Sequence, residues 1–354
     1  MDFDLDENAR ELQGLAAGLL EREVTTERLE AHERSGAPYD TALWKALADA
    51  GLLGACLPEE LGGAGLGAVE FAVVLREVGA RVAPVPAYAS LVAAMTLARH
   101  GGAERLAGFA DGGSVLSVAF REPGTGLTTT ARRDGDAYVL DGIKTFVPYA
   151  GQADLILVPA RLVDGIGVFL VEPGQATFAP QPSATGEPLS RIGLEGVRVG
   201  ADALLDAGAY GTLTGYATAG AVAIVSGVLD AALTLTTEHV KTREQFDRPL
   251  AEFQAVTMQI GDVYIAKRAL DVAVWAGVWR LAVGYDDAAE VLAVAAYNAC
   301  DPALKAFYTC QHLHGGLGLD VTYPLHRYFA WAKHHAHLLG GAEAQLDAIG
   351  ALVA

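Results

Sequence analysis

"KTREQFDRPLAEFQAV", residues 241–256, sets Lys241, Arg243, Gln245, Phe246 and Pro249 side by side directly after a long apolar segment. A helix built mostly of alanine, leucine and valine has no packing use for so polar a patch. Two readings are open from the residues alone: Lys241 and Arg243 cap a helix end through its dipole, or the patch holds a ligand. The preceding segment, "AGAYGTLTGYATAGAVAIVSGVL" (207–229), is long and uncharged enough to span a bilayer. Gly, Thr, Ser and Tyr interrupt it and periodic helices follow, which makes it a buried bundle helix and predicts no membrane span.

From this point the helical period continues to the end of the chain, with helices expected near 210–242, 250–284, 287–313 and 323–349. Upstream, between about 110 and 207, the pattern changes to short runs: "SVLSVAF", "DAYVLDGIKTFVP", "DLILVPARL" and "IGVFLVEP". Gly, Asp and Pro separate them, the signal of antiparallel strands in a small barrel or sandwich. Residues 5–107 are helical again; Leu43, Leu47, Leu52 and Leu53 share a face that Gly51 and Pro58 close. The expected architecture is mixed α and β, mostly α, in three domains. These are an N-terminal helical domain (1–109), a middle antiparallel β-barrel or sandwich domain (110–207) and a C-terminal four-helix bundle (208–354).

Bulk composition narrows the function. The chain has 354 residues, 52% of them hydrophobic, enough for a large core. Its net charge of -18 repels nucleic acid and anionic membranes. The acidic start "MDFDLDENAR" lacks the features of a secretion signal. Only Cys56, Cys300 and Cys310 occur, without metal-ligand spacing. Both features point to the cytoplasm.

This order of segments, with four local motifs, resembles the acyl-CoA dehydrogenase family over essentially the whole chain. The motifs are "LPEELGGAGLGAVEFAVVLREVG", "REPGTG" followed by "DGIKTFVPYAGQADLILVPAR", the opening stretch, and "HLHGGLGLDVTYPLHRYFAWAKHHAHLLGGAEAQ". The resemblance implies an FAD enzyme that removes an α proton and a β hydride from an acyl-CoA thioester, with an electron-acceptor flavoprotein downstream. In relatives the opening stretch crosses a subunit interface to hold a neighbour's FAD. Arg243 would then give bidentate donors to the pyrophosphate, Phe246 a ring face, and Gln245 and Gln254 amides. The glycine turn, Gly315, Gly316 and Gly318, permits close backbone approach to the cofactor. His312 stands where relatives commonly carry Gln.

Against this resemblance the catalytic parts do not line up. The usual Glu base is Leu339 here, and the alternative base position on the first bundle helix falls on Ala217 or Ile224. Glu343, about one helical turn beyond Leu339, is the remaining candidate, with Asp230 and Asp247 weaker. Arg121 replaces the flavin-contacting Thr before Glu122–Pro123, and Pro148 replaces a Ser or Thr. Gly126, Leu127 and Thr128 replace a Gly-Ser-Asp that contacts CoA. The chain thus resembles the shorter subunit of heteromeric actinobacterial acyl-CoA dehydrogenases, known from sterol side-chain degradation, in which a homologous partner supplies the base. The expected assembly is a hetero-oligomer, a tetramer in relatives. The competing expectations are a self-sufficient homo-oligomeric enzyme with a relocated base, and a non-redox family member that binds acyl-CoA or a partner.

Remaining features read as structural. His312, His314, His326, His334, His335 and His337 lack a completing carboxylate or Cys pattern, so no metal is expected. Trp275, Trp279 and Trp331 fit bundle core or a subunit interface. Glu122 reads as part of a turn.

Overall fold

The computed structural model describes residues 5–124 and 126–353. Thr125 of "REPGTG" and the extreme ends of the first and last expected domains lie outside the described residues. The first helices are α1 (Glu7–Glu23), α2 (Thr26–Ser35), α3 (Thr41–Asp49), α4 (Ala68–Ala80) and α5 (Ala87–His100). Asp6 caps α1 by accepting from the Ala9 amide, and Asp40 caps α3 by accepting from Leu43. The Leu43, Leu47, Leu52 and Leu53 face is buried, as its spacing requires.

The strands are β1 (Leu116–Val118), β2 (Thr130–Asp134), β3 (Ala137–Pro148), β4 (Leu155–Leu162), β5 (Gly165–Val171), β6 (Thr177–Gln181) and β7 (Leu189–Gly200). They form one sheet ordered β1-β4-β2-β3-β7-β6, with β5 on β4. The expectation of purely antiparallel pairing is corrected: β1 runs parallel to β4, and β2 joins β4 in parallel register at Thr130 and Arg161. The cause is the connection. The loop between β1 and β2 returns to the same edge of β4 instead of turning back as a hairpin, so both strands share that edge.

Next come α6 (Ala209–Thr242), the short strands β8 (Glu244–Gln245) and β9 (Arg248–Pro249), α7 (Gln254–Val283), α8 (Ala288–Cys300), α9 (Pro302–His314), α10 (Leu325–Leu338) and α11 (Gly341–Val353). Two expected helices are each split. Pro302 starts α9 after Asp301 leaves helical geometry, and Gly340 and Gly341, both at positive φ, separate α10 from α11. The four expected helical segments are therefore six helices. The membrane-length segment lies in α6, whose most apolar window is 67% buried inside the protein.

By internal contacts the chain divides into two compact units: residues 1–29, 67–83 and 218–354 in one, and 30–66 and 84–217 in the other. In the first unit α4 meets the following part of α6 backbone to backbone. A Cβ on Gly227 would lie 1.9 Å from the Arg76 carbonyl oxygen, and one on Gly79 would lie 2.4 Å from that of Ile224. Beside this crossing sits a charge cluster. Arg76 binds Asp230 and Glu77, each at 3.0 Å, and Lys267 binds Asp230 at 2.9 Å and Asp271 at 3.0 Å. Ser226 donates to Asp271. The pairing satisfies charges that burial would otherwise penalise.

Candidate functional site

The opening stretch leaves α6 as a tight hairpin. The Arg243 amide still donates to the His239 carbonyl at 2.8 Å, and the Leu250 amide donates to the Arg243 carbonyl at 2.8 Å. β8 and β9 then pair antiparallel around Phe246 and Asp247, at φ 54 and 63. Two successive left-handed residues are what a two-residue hairpin needs, although non-glycine residues adopt that conformation at a cost. The turn holds the Phe246 ring outward, 87% exposed, edge-on to Phe253 at 6.3 Å. Arg248 lies over the Phe253 ring at 4.0 Å and stiffens the hairpin base.

Arg243, Gln245 and Gln254 are also exposed, and Gln254 opens α7. The helix-cap role for Lys241 is only partial, since its ammonium binds Glu238 at 3.0 Å.

The glycine turn lies at the end of α9. Gly315 takes φ 58, and residues 315–319 form a short 3₁₀ turn. Gly318 is fixed by packing: a Cβ there would lie 2.5 Å from the Gln311 carbonyl oxygen, and Gln311 Nε2 donates back to the Gly318 carbonyl at 3.1 Å. Gly315 and Gly316 are exposed, and a Cβ on either would meet nothing within 4 Å. Their backbone is open to a ligand. His312 is exposed beside them.

The structure joins the turn to the hairpin, because His239 in the last turn of α6 stacks on His314 at the end of α9, with centroids 4.3 Å apart. All seven cofactor candidates, Arg243, Gln245, Phe246, Gln254, His312, Gly315 and Gly316, are solvent-facing. A guanidinium, amides, an aromatic face and open glycine backbone suit the phosphate and aromatic parts of FAD approaching from outside.

No acid occupies the expected base positions. Leu339 caps α10, and its carbonyl accepts from Gln345. Ala217 and Ile224 are buried and apolar. The Gly340–Gly341 break starts a new helix, so Glu343 is exposed in the first turn of α11 and does not extend α10 by a turn. Asp230 is committed to the charge cluster. Burial alone would raise its carboxyl, but Lys267 and Arg76 outweigh that and lower it. Asp247 is consumed by the hairpin turn.

In the other unit, Pro148 is buried and offers no N–H, and its carbonyl accepts from Ser117. The neighbouring Phe146 sits at φ 52, with its amide donating to Gln181 Oε1 at 2.7 Å. Arg121 is half-buried, and its carbonyl accepts from Thr145. Nothing at these positions supplies the hydroxyl contacts a flavin ring would use.

Glu122 has a definite structural task. Lys144 Nζ lies 2.6 Å from Glu122 Oε1 and 2.7 Å from the Pro159 carbonyl, with neither charged side chain more than 1% exposed. The amides of Thr128 and Thr129 and the Thr128 hydroxyl donate to Glu122 Oε2. The pair thus sits where β4 passes from β1 to β2, satisfying a strand carbonyl and tying down the intervening loop. Burial pushes the Glu122 carboxyl up, but donation from Lys144, Thr128 and Thr129 prevails and brings it to about 2.

Other features behave as follows. His335 is buried, and burial together with His334 pushes it down to about 3. Among the described residues no three His, Cys, Asp or Glu side chains gather in a metal-holding group. Trp275 and Trp331 are half-buried, and Trp279 is 39% exposed and packs on Tyr285, so of the two readings, bundle core or subunit interface, the first does not hold for Trp279. Lys144, Arg76 and His239 take roles that the sequence analysis does not assign them. A lysine on an otherwise buried strand was the available signal for the first, and nothing local marked the other two.

The family model "Acyl-CoA dehydrogenase, N-terminal domain" matches residues 6–108, and "Acyl-CoA dehydrogenase, C-terminal domain" matches residues 210–353. Acyl-CoA dehydrogenase FadE27 of Mycobacterium tuberculosis is 36% identical over 99% of this chain and 98% of its own length. Among solved structures, a chain of the Tcur3481-Tcur3483 steroid ACAD G363A variant is similar at 40% identity and TM-score 0.94, covering 98% of both chains. A chain of the ChsE4-ChsE5 complex from Mycobacterium tuberculosis is similar at 34% identity and TM-score 0.95, covering 100% of this chain and 99% of that one.

Proposed function

This chain belongs to the acyl-CoA dehydrogenase family, and from that premise we propose that it serves as a subunit without its own catalytic base, completing the FAD site of a homologous partner. As a family member it is part of an FAD-linked oxidoreductase acting on acyl-CoA. The observation that carries the proposal is the contrast between its two sets of site residues. The cofactor-facing set is assembled, stiff and exposed, whereas Leu339, Ala217, Ile224, Arg121 and Pro148 offer neither a base nor flavin contacts.

In this reading, bound FAD supplies the hydride acceptor for α,β-dehydrogenation. Arg243 neutralises pyrophosphate charge, Phe246 covers an aromatic face, and Gly315 and Gly316 admit close approach of the cofactor. The base comes from the partner. Likeness to chains of two-protein complexes supports a homologous partner. Likeness to a protein described as a steroid ACAD supports a steroid or other lipid-derived thioester as substrate. The proposal includes the three-domain layout at 1–109, 110–207 and 208–354, a cytoplasmic tetramer and a flavoprotein electron acceptor.

Glu343→Gln separates this reading from a relocated base. In the complex co-purified with the homologous partner, turnover should stay within about twofold of wild type. A loss of about 100-fold or more, the scale of a removed general base, would restore Glu343 as the catalytic acid–base group.

A further inference from the structure

His239 and His314 occupy a position that the proposed function leaves unused. His239 lies four residues before Arg243, and its carbonyl accepts the Arg243 amide that roots the hairpin. His314 directly precedes Gly315. Their rings stack at 4.3 Å with 20° between planes, so one aromatic contact joins both halves of the cofactor-facing surface. His314 is buried, its Nδ1 lies 2.8 Å from the Cys310 carbonyl, and its Nε2 lies 3.2 Å from the Tyr323 hydroxyl. A carbonyl only accepts, so Nδ1 carries the proton and the neutral ring accepts from Tyr323 through Nε2.

Protonation would make both His314 nitrogens donors and put a cation against a second imidazole. The titratable and charged groups that act on the pair are Arg243 from the exit of α6, Cys310 from α9 and Tyr323 after the glycine turn. None is a carboxylate that would welcome the charge. Burial, then His314 and Arg243, lower His239; burial lowers His314, opposed only by the Cys310 carbonyl.

We propose that the His239–His314 stack is a positioning device: neutral, it holds the Arg243 hairpin and the Gly315–Gly318 turn as one surface, and protonated, it releases them. Flavin shared with a partner is then retained at neutral pH and lost in mild acid. This inference rests on the cofactor role proposed for Arg243 and the glycine turn.

The test uses the co-purified complex and follows flavin absorbance retained after desalting between about pH 8 and 5, the range in which histidine changes charge. Wild type should lose flavin as the pH falls below the ordinary histidine value, whereas His314→Phe and His239→Phe, which keep a flat ring but remove a titrating group, should flatten that step. Arg243→Ala is the control for the underlying reading: full retention by this variant at every pH would refute the cofactor role itself. Flavin loss in Arg243→Ala together with an unchanged acid step in both histidine variants would overturn the positioning role alone. Should either phenylalanine variant fail to fold, proton NMR titration of the wild-type chain decides. Mutually dependent titration of His239 and His314 below the usual histidine range supports the device, and independent titration at ordinary values contradicts it.

Discussion

Lys144→Met should destabilise the chain by about 3–5 kcal/mol in urea unfolding, the scale for removing one member of a buried ion pair. The change strands the Glu122 carboxylate, now facing only the Thr128 and Thr129 groups, and leaves the Pro159 carbonyl without its donor. Glu122→Gln combined with Lys144→Met should recover most of that loss, because two neutral groups carry no uncompensated charge. The sign with pH follows from the lowered Glu122 carboxyl. Its contribution is complete above the ordinary Glu value of 4.5 and disappears as the pH falls towards about 2. Equal losses in the single and double variants would mean that volume, not charge pairing, holds the loop between β1 and β2.

The second large effect concerns the cofactor. In the complex with a homologous partner, Arg243→Ala should weaken flavin retention by roughly 10–100-fold, the equivalent of the roughly 1.5–3 kcal/mol of a charged hydrogen-bonded contact. Arg243 is exposed at the root of a hairpin whose internal bonds are made by backbone groups, so its loss should leave the thermal stability of the isolated chain nearly unchanged. A fall in stability without a fall in flavin content would mark Arg243 as structural. Equilibrium dialysis of flavin together with thermal unfolding distinguishes the outcomes.

The sequence revealed those parts of the molecule whose determinants are local. The helical segments α6 and α7, the short apolar runs of β3 to β5 and the polar run from Lys241 to Gln254 depend on neighbours within a few residues. Relations between distant segments were hidden. The parallel pairing of β1 with β4 depends on where a loop returns, which a short apolar run does not encode. The splits at Pro302 and at Gly340–Gly341 had local markers that were overridden by a continuous apolar period.

At the candidate site, Arg243 and Phe246 were legible because a cation and an aromatic ring stand out after an alanine-rich helix. The His239–His314 stack, formed by residues 75 positions apart by their numbering, and the Arg76–Asp230 pair became visible only once the helices were packed. Leucine at position 339 was the clearest signal: it cannot take a proton in any fold, and Glu343 stands on a separate helix.

The most direct measurement is the flavin content per chain, by visible absorbance against protein concentration, for this chain purified alone and then co-expressed with a homologous acyl-CoA dehydrogenase subunit. A colourless chain alone and about one FAD for each pair of different subunits in the complex is the predicted result. One FAD per chain in the isolated protein would contradict the account, because Arg121 and Pro148 would then line a working flavin pocket.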